Sequence, residues 1–72
     1  MATFPERIIQ IKTEKKLMQK DIAAGIGVHV RTYQYYEKNQ KEPTLSVLIA
    51  LADYFDVSLD YLVGRSDDPT RH

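Results

Sequence analysis

The sequence contains no cysteine and only three glycines and three prolines among its 72 residues. Without cysteine it can form neither a disulfide nor a thiolate metal site, which fits a reducing compartment. The longest mostly apolar stretch, LSVLIALADYF, is too short to cross a bilayer, and the N-terminus lacks the apolar core of a signal peptide. These absences favour one small cytoplasmic domain with a marginal core, because so short a chain buries only about 60% of its unfolded surface.

Residue types that carry catalysis are also scarce. The two histidines are His29 and His72, and His72 is the last residue of a stretch without apolar side chains. Asp67 and Asp68 are adjacent in that stretch, where nothing is expected to hold them in register. Nucleophilic catalysis needs a nucleophile beside a base, and zinc needs several ligands at motif spacing. The GIG at residues 25–27 follows no strand and is not a phosphate loop. The sequence therefore predicts no enzyme, no metal, no cofactor and no small-molecule ligand.

The charges sum to zero but are unevenly distributed along the chain. Residues 1–42 carry eight Lys and Arg against five Asp and Glu, whereas residues 43–72 carry two against five. The first part therefore has an excess of positive charge and the second an excess of negative charge. Such an asymmetry indicates a basic face on a neutral molecule, which suits a polyanionic partner.

Apolar residues recur at helical spacing throughout, and no sustained alternation predicts a strand. The pattern places five helices at about residues 5–15, 19–24, 29–38, 44–55 and 58–63. Thr44 and Ser58 suit helix starts. Gly25 and Gly27 permit the positive φ with which a helix often ends. The chain is therefore predicted to be all-α, with residues 65–72 as a flexible tail.

The third predicted helix has two different faces. On a wheel of about 100° per residue, Tyr33 and Tyr36 share one side, which predicts that both belong to the core. The other side carries Val30, Arg31, Gln34, Tyr35 and Lys38. The stretch GVHVRTYQYYEKNQ therefore combines a face that packs with a face that is offered to solvent.

The fourth helix is predicted to bury a broad apolar face, made of Leu45, Leu48, Ile49, Ala52 and Phe55. Val47 and Tyr54 lie off that face, with Leu51 between them. This stripe is either a contact for a second copy or a partner protein, or a set of scattered exposed apolar residues, which are common.

The two short helices over about residues 19–38 are joined by a turn that contains Gly27, and Ala23 supplies the small residue that a close crossing needs. This is the helix-turn-helix pattern. The segments QKDIAAGIGV, YYEKNQKEPTLSVLIALADYF and VSLDYLVG resemble the Cro/CI-type, or Xre-like, helix-turn-helix family in order and spacing. The resemblance covers about residues 4–64 and implies a five-helix, Cro/CI-repressor-like DNA-binding domain over residues 1–64. Met18 departs from the Ser or Thr that usually caps the second helix, and Asn39 replaces the usual glycine.

In that family the helix after the turn enters the major groove of DNA with its N-terminal part. The base-reading positions that the resemblance implies are Val30, Arg31, Gln34 and Tyr35. The expected phosphate contacts come from Gln19, Lys20, His29, Thr32, Lys38 and Lys41. Candidate dimer contacts are Val47, Tyr54, Leu59 and Tyr61. Arg31 is expected to contact guanine or to clamp a phosphate, Gln34 to contact adenine or a phosphate, and His29 to contact a phosphate or to serve the helix start.

Taken together, the resemblance implies a transcriptional regulator, more specifically a repressor, that binds a palindromic double-stranded DNA operator as a homodimer. The alternative is an antitoxin-like protein-interaction module of the same fold, which would bind a partner protein through the stripe of Val47 and Tyr54. Neither interpretation involves a membrane. Sequence-specific binding of DNA by the protein alone would favour the regulator.

Overall fold

The computed structural model describes residues 2–71, which form five α-helices and no strand. The helices are α1 (Phe4–Lys15), α2 (Gln19–Ile26), α3 (Val30–Glu37), α4 (Leu45–Phe55) and α5 (Leu59–Leu62). The prediction of an all-α, five-helix fold is confirmed. The second helix extends two residues beyond its predicted end, because the chain turns only at Gly27, where φ is 76°.

Side-chain caps begin four of the five helices. Thr3 and Glu6 form a reciprocal capping box at α1, and the side chains of Thr44 and Ser58 accept backbone N–H groups at the starts of α4 and α5. His29 does the same for α3. Met18 precedes α2 without any side-chain cap, so the departure at this position leaves the start of α2 without that hydrogen bond.

The core forms where the apolar sides of all five helices meet. Tyr33 and Tyr36 are 0% and 3% exposed, which confirms the prediction that both are core residues. The ring of Tyr36 meets the ring of Phe4 edge to face, with the centroids 6.5 Å apart. Tyr33 and Tyr36 therefore anchor α3 in the core from one side of the helix.

The predicted buried face of α4 is wrong at one edge. Leu45 and Ile49 are 69% and 44% exposed, whereas Leu51, which was placed on the outer stripe, is fully buried. The buried arc is turned by about 45° from the predicted one on a helical wheel. The sequence LSVLIALADYF is apolar around most of its circumference, so periodicity alone does not determine which part of α4 packs inward.

The glycine before the turn has a different role from the one predicted. Gly25 lies inside α2, and the ring of Tyr54 from α4 packs directly against it. A Cβ atom at this position would overlap that ring. Gly25 therefore allows a close approach of α4, while the positive φ that ends the helix belongs to Gly27.

The segment after α5 lies against the helical body. The guanidinium of the buried Arg7 donates to the Ser66 carbonyl at 3.3 Å and pairs with Asp67 at 3.2 Å. Further along, the Ser58 N–H donates to the Pro69 carbonyl at 3.1 Å, and Arg71 pairs with Asp53 at 2.6 Å. The flexibility of residues 65–72 stays a prediction. His72, the last residue of this segment, lies outside the described residues.

Candidate nucleic-acid interface

The pair α2 and α3 carries the candidate interface. Ala23 in α2 is 2% exposed, α2 packs against α3, and Gly27 turns the chain between the two helices with a positive φ of 76°. Val28 packs on the core cluster and His29 starts the next helix. The predicted helix-turn-helix is thus present, with α3 as the second helix.

The outer side of α3 divides into an exposed part and a half-buried edge. Arg31, Tyr35 and Lys38 are exposed, with Tyr35 at 39%. Half-buried positions on this helix are Val30, Thr32, Gln34 and the inward-facing Glu37, and Val30 also packs against the core cluster. The four residues predicted to read bases therefore lie on one helix, two of them freely accessible and two at the edge of the packed body.

Gln34 does not stand alone in the structure. Its side-chain amide donates to the Gln19 amide oxygen at 3.0 Å, and the Gln19 amide donates to the Glu37 carboxylate at 2.9 Å. Lys12, on α1, pairs with the same carboxylate at 2.9 Å. These four side chains, which we call the polar relay, connect α1, α2 and α3 beside the candidate interface.

Sequence reasoning missed two members of the polar relay, Lys12 and Glu37. One signal was available, because Glu37 follows Tyr33 by four residues and must share its inward side of α3. A charged side chain on a packed face needs a partner, and the Glu37 side chain is 9% exposed. The identity of that partner was not readable, since Lys12 lies 25 residues earlier in the chain.

The surroundings of Glu37 also determine the protonation states of Glu37 and of the neighbouring Tyr33. Burial raises the pKa of Glu37, but the Lys12 ammonium, the Tyr33 hydroxyl and the Gln19 amide outweigh it, so the pKa lies below its usual value. Burial, together with the neighbouring Glu37, raises the pKa of Tyr33. Glu37 is therefore a carboxylate, and Tyr33 a neutral phenol, at neutral pH.

His29 has a structural role in the free protein. Its Nδ1 accepts the backbone N–H of Arg31 at 3.2 Å, which is the capping bond at the start of α3. The imidazole is exposed, so it remains accessible at the end of the helix that carries Arg31. A phosphate contact by His29 stays a prediction.

The other residues predicted to contact phosphate surround α3. Gln19 and Lys20 open α2, Thr32 is in the first turn of α3, and Lys38 and Lys41 follow its last residue. Lys20, Lys38 and Lys41 are exposed, while Gln19 is held by the polar relay. The basic side chains thus flank both helices of the pair.

The candidate dimer contacts do not form one exposed stripe. Val47 packs on the core cluster, and Tyr61 is 7% exposed with the guanidinium of Arg7 lying 4.0 Å from its ring centroid. Tyr54 lies over Gly25 and is 37% exposed, and Leu59 is 40% exposed. Ile49 and Leu45, which were predicted to lie in the core, are exposed. Ile49 and Leu59 line one recess of about 300 Å³ between α4 and α5, together with the apolar Ala52 and Val57 and with polar residues that include the paired Asp53 and Arg71.

Two short helices that pack together across a turn at Gly27, with an accessible side on the second, define a helix-turn-helix protein. The chain belongs to the helix-turn-helix family, whose model matches residues 8–62. The Cro/CI-type resemblance is thereby confirmed. Among residues 2–71, no helix is both long enough and apolar enough to cross a membrane.

Relatives of this chain are named as transcriptional regulators. It is 39% identical over 66 residues to an uncharacterized HTH-type transcriptional regulator, YobD, of Bacillus subtilis, covering 92% of this chain and 59% of the relative. It is 36% identical over 64 residues to the cryptic phage CTXphi transcriptional repressor RstR of Vibrio cholerae, covering 89% and 58%. The chain thus spans about three fifths of the length of these relatives.

Solved structures show the same fold. The P22 c2 repressor in complex with a synthetic operator superposes with a TM-score of 0.84 and 26% identity, over 92% of this chain and all of that one. A transcriptional regulator from Listeria innocua superposes with a TM-score of 0.81 and 39% identity, over 86% of this chain and 58% of that one.

Proposed function

We propose that the protein is a sequence-specific DNA-binding transcriptional regulator that acts as a repressor and reads the major groove with α3. One observation carries this proposal: the accessible side of α3 belongs to a fold that superposes closely on a repressor in complex with its operator. In helix-turn-helix proteins the second helix contacts base edges while the elements around it contact the backbone. The proposal assigns no catalysis and no cofactor to the chain, and places it in the cytoplasm.

The proposed roles follow from position on the helix pair. Base edges are contacted by Val30, Arg31, Gln34 and Tyr35, and phosphates by Gln19, Lys20, His29, Thr32, Lys38 and Lys41. Arg31 is exposed and matches guanine N7 and O6 with its two-pronged guanidinium. Lys20 and Lys41 are exposed point charges, which suits backbone contacts that carry no sequence information.

The proposal includes a homodimer on a palindromic operator. Two copies of α3 about 34 Å apart would read half-sites one helical turn apart. Ile49 and Leu59, exposed beside the recess between α4 and α5, supply the apolar contact for a second copy. An antitoxin-like module would bind a partner protein through the stripe of Val47 and Tyr54, but the relatives named above are regulators and repressors, which favours the regulator.

Selection of bound sequences from a random DNA pool tests the proposal directly. The protein alone is expected to enrich two copies of one half-site in inverted order. A pool that shows no enrichment would contradict the proposal of sequence-specific binding. Enrichment of a single unrepeated site would contradict the proposal of a homodimer.

Replacement of Arg31 should relax the sequence preference. Arg31→Ala is expected to lose about 1–3 kcal/mol of discrimination at one base pair, because one bidentate contact supplies that amount. Lys20→Ala is the matched control, since loss of a phosphate contact weakens all sequences alike and makes the salt dependence less steep. Competition binding with single-base operator variants measures both. An unchanged base preference in Arg31→Ala would exclude Arg31 from base reading.

A charge in the recess between α4 and α5 should weaken self-association. Leu59→Glu is expected to weaken the dimer at least tenfold, because full burial of a leucine is worth about 1.5–3 kcal/mol. Ile9→Glu is the control, since Ile9 on α1 is 39% exposed and Leu59 is 40% exposed. Sedimentation velocity measures the dimer fraction. Equal association by both variants would place the dimer contact elsewhere.

A further inference from the structure

The polar relay has a chemical direction. Lys12 lies 3.0 Å from one Glu37 carboxylate oxygen and 2.9 Å from the other, and the Gln19 amide nitrogen lies 2.9 Å from the first. The Gln19 amide oxygen in turn accepts from the Gln34 amide nitrogen at 3.0 Å. Each step of the polar relay is a hydrogen bond or an ion pair between different helices, and the relay ends at Gln34 on α3.

The carboxylate determines the orientation of both amides. An ionised Glu37 only accepts, so Gln19 must turn its NH₂ group toward it and its oxygen toward Gln34. Gln34 must then donate to that oxygen. The orientation of both amides therefore follows from the ionised state of Glu37, and the positive charge of Lys12 stabilises that state.

This orientation decides what Gln34 offers to DNA. One of its two N–H groups is engaged with Gln19, which leaves the amide oxygen and the second N–H. An acceptor and a donor side by side match the N6 amino group and N7 of adenine. Guanine presents two acceptors, O6 and N7, and does not match this pair.

We propose that Glu37 is a positioning residue which, through Gln19, makes Gln34 select adenine over guanine at one operator position. The proposal rests on the proposed function, because it presupposes that α3 reads bases. Glu37 itself touches no base in this scheme. Lys12 acts one step earlier, since it holds the carboxylate in place from α1.

Substitution of Glu37 by glutamine should release the fixed orientation of the relay. Lys12 lies within 3.0 Å of both carboxylate oxygen positions, so the introduced amide can turn either its oxygen or its NH₂ group toward Gln19. Gln19 can then present either its oxygen or its NH₂ group to Gln34. The Gln34 amide is no longer held in one orientation, so it can match adenine in one orientation and guanine in the other.

The test compares base preference at the operator position read by Gln34. Selection from a random pool with the wild type and with Gln34→Ala locates that position. Competition binding then compares operators with adenine and guanine there. The wild type is expected to prefer adenine at least about fivefold, the lower limit for one bidentate contact. Glu37→Gln, which releases the orientation of Gln19, and Gln19→Met, which interrupts the relay, are both expected to show no preference.

Glu14→Gln is the matched control, because it makes the same chemical change at an exposed residue of α1. It is expected to keep the wild-type preference. A wild-type preference retained in Glu37→Gln overturns the proposal, as does a Gln34→Ala variant that changes no base preference. If Glu37→Gln does not fold, Gln19→Met decides alone, and adenine preference in that variant overturns the relay.

A measurement without DNA separates the relay from the proposed function. The side-chain amide resonances of Gln34 in the free protein should shift in Glu37→Gln and in Gln19→Met, but not in Glu14→Gln. Unchanged resonances overturn the relay. A pool without enrichment, together with shifted resonances, overturns the proposed function and with it the role in base selection, while the relay itself stands.

Discussion

Gly64→Ala is expected to lower the free energy of unfolding by about 3 kcal/mol. Gly64 ends α5 with φ of 84°, a region that costs a residue with a Cβ atom about 1–2 kcal/mol. A methyl group there would also overlap the carbonyl oxygen of Ala2, which crosses over the end of α5. Because this obstacle is backbone, no side-chain rotation relieves it, and overpacking of this kind typically costs about 1–3 kcal/mol more.

Gly27→Ala is the matched control for this substitution. Gly27 has a similar φ of 76°, but an added Cβ would meet no atom within 4 Å. Gly27→Ala should therefore lower the free energy of unfolding only by the cost of the positive φ, about 1–2 kcal/mol. Urea unfolding of both variants measures the difference, which reports the overlap with Ala2. Equal losses would show that the N-terminal segment does not pack on Gly64.

The sequence predicted the helices well because their start and end signals are local. Thr44 and Ser58 cap their helices through neighbours three residues away, and Gly27 ends α2 through its own backbone. Such signals depend on adjacent residues and are therefore visible in the sequence. The two faces of α3 were visible for the same reason, since Tyr33 and Tyr36 contrast with their polar neighbours.

Two features depend on residues far apart in the chain, and both were missed. The rotation of α4 follows from its contacts with α2 and α5, and its sequence offers apolar side chains in almost every direction. The polar relay joins Lys12 to Glu37 and Gln19 to Gln34 across three helices. Pairing of this kind becomes readable only when packing brings the helices together.

Lys12→Met is expected to lower the free energy of unfolding by about 2–3 kcal/mol at neutral pH. The substitution keeps most of the apolar stem but leaves the Glu37 carboxylate, whose side chain is 9% exposed, without its counter-charge. Loss of one partner of a buried pair typically costs about 3–5 kcal/mol. The Lys12 side chain is 21% exposed, so water partly screens the ion pair. The expected decrease in the free energy of unfolding therefore lies at or below the lower end of that range.

The pH dependence distinguishes this loss from a packing defect. The pKa of Glu37 is lowered in the folded wild type, so its contribution is present above the unfolded value and is lost as pH falls through the folded pKa. Without Lys12 the carboxylate keeps its burial but not its counter-charge, so its folded pKa should rise. As pH falls and Glu37 is protonated, the deficit of Lys12→Met against the wild type should shrink.

Urea unfolding at several pH values measures this deficit. Lys15→Met, at an exposed position of the same helix, controls for loss of a lysine and should stay within about 0.5 kcal/mol of the wild type. Lys12→Met combined with Glu37→Leu should recover much of the loss, because an apolar pair needs no counter-charge. A deficit that is constant with pH and persists in the double variant would mean that Lys12 stabilises the fold by packing and not by charge.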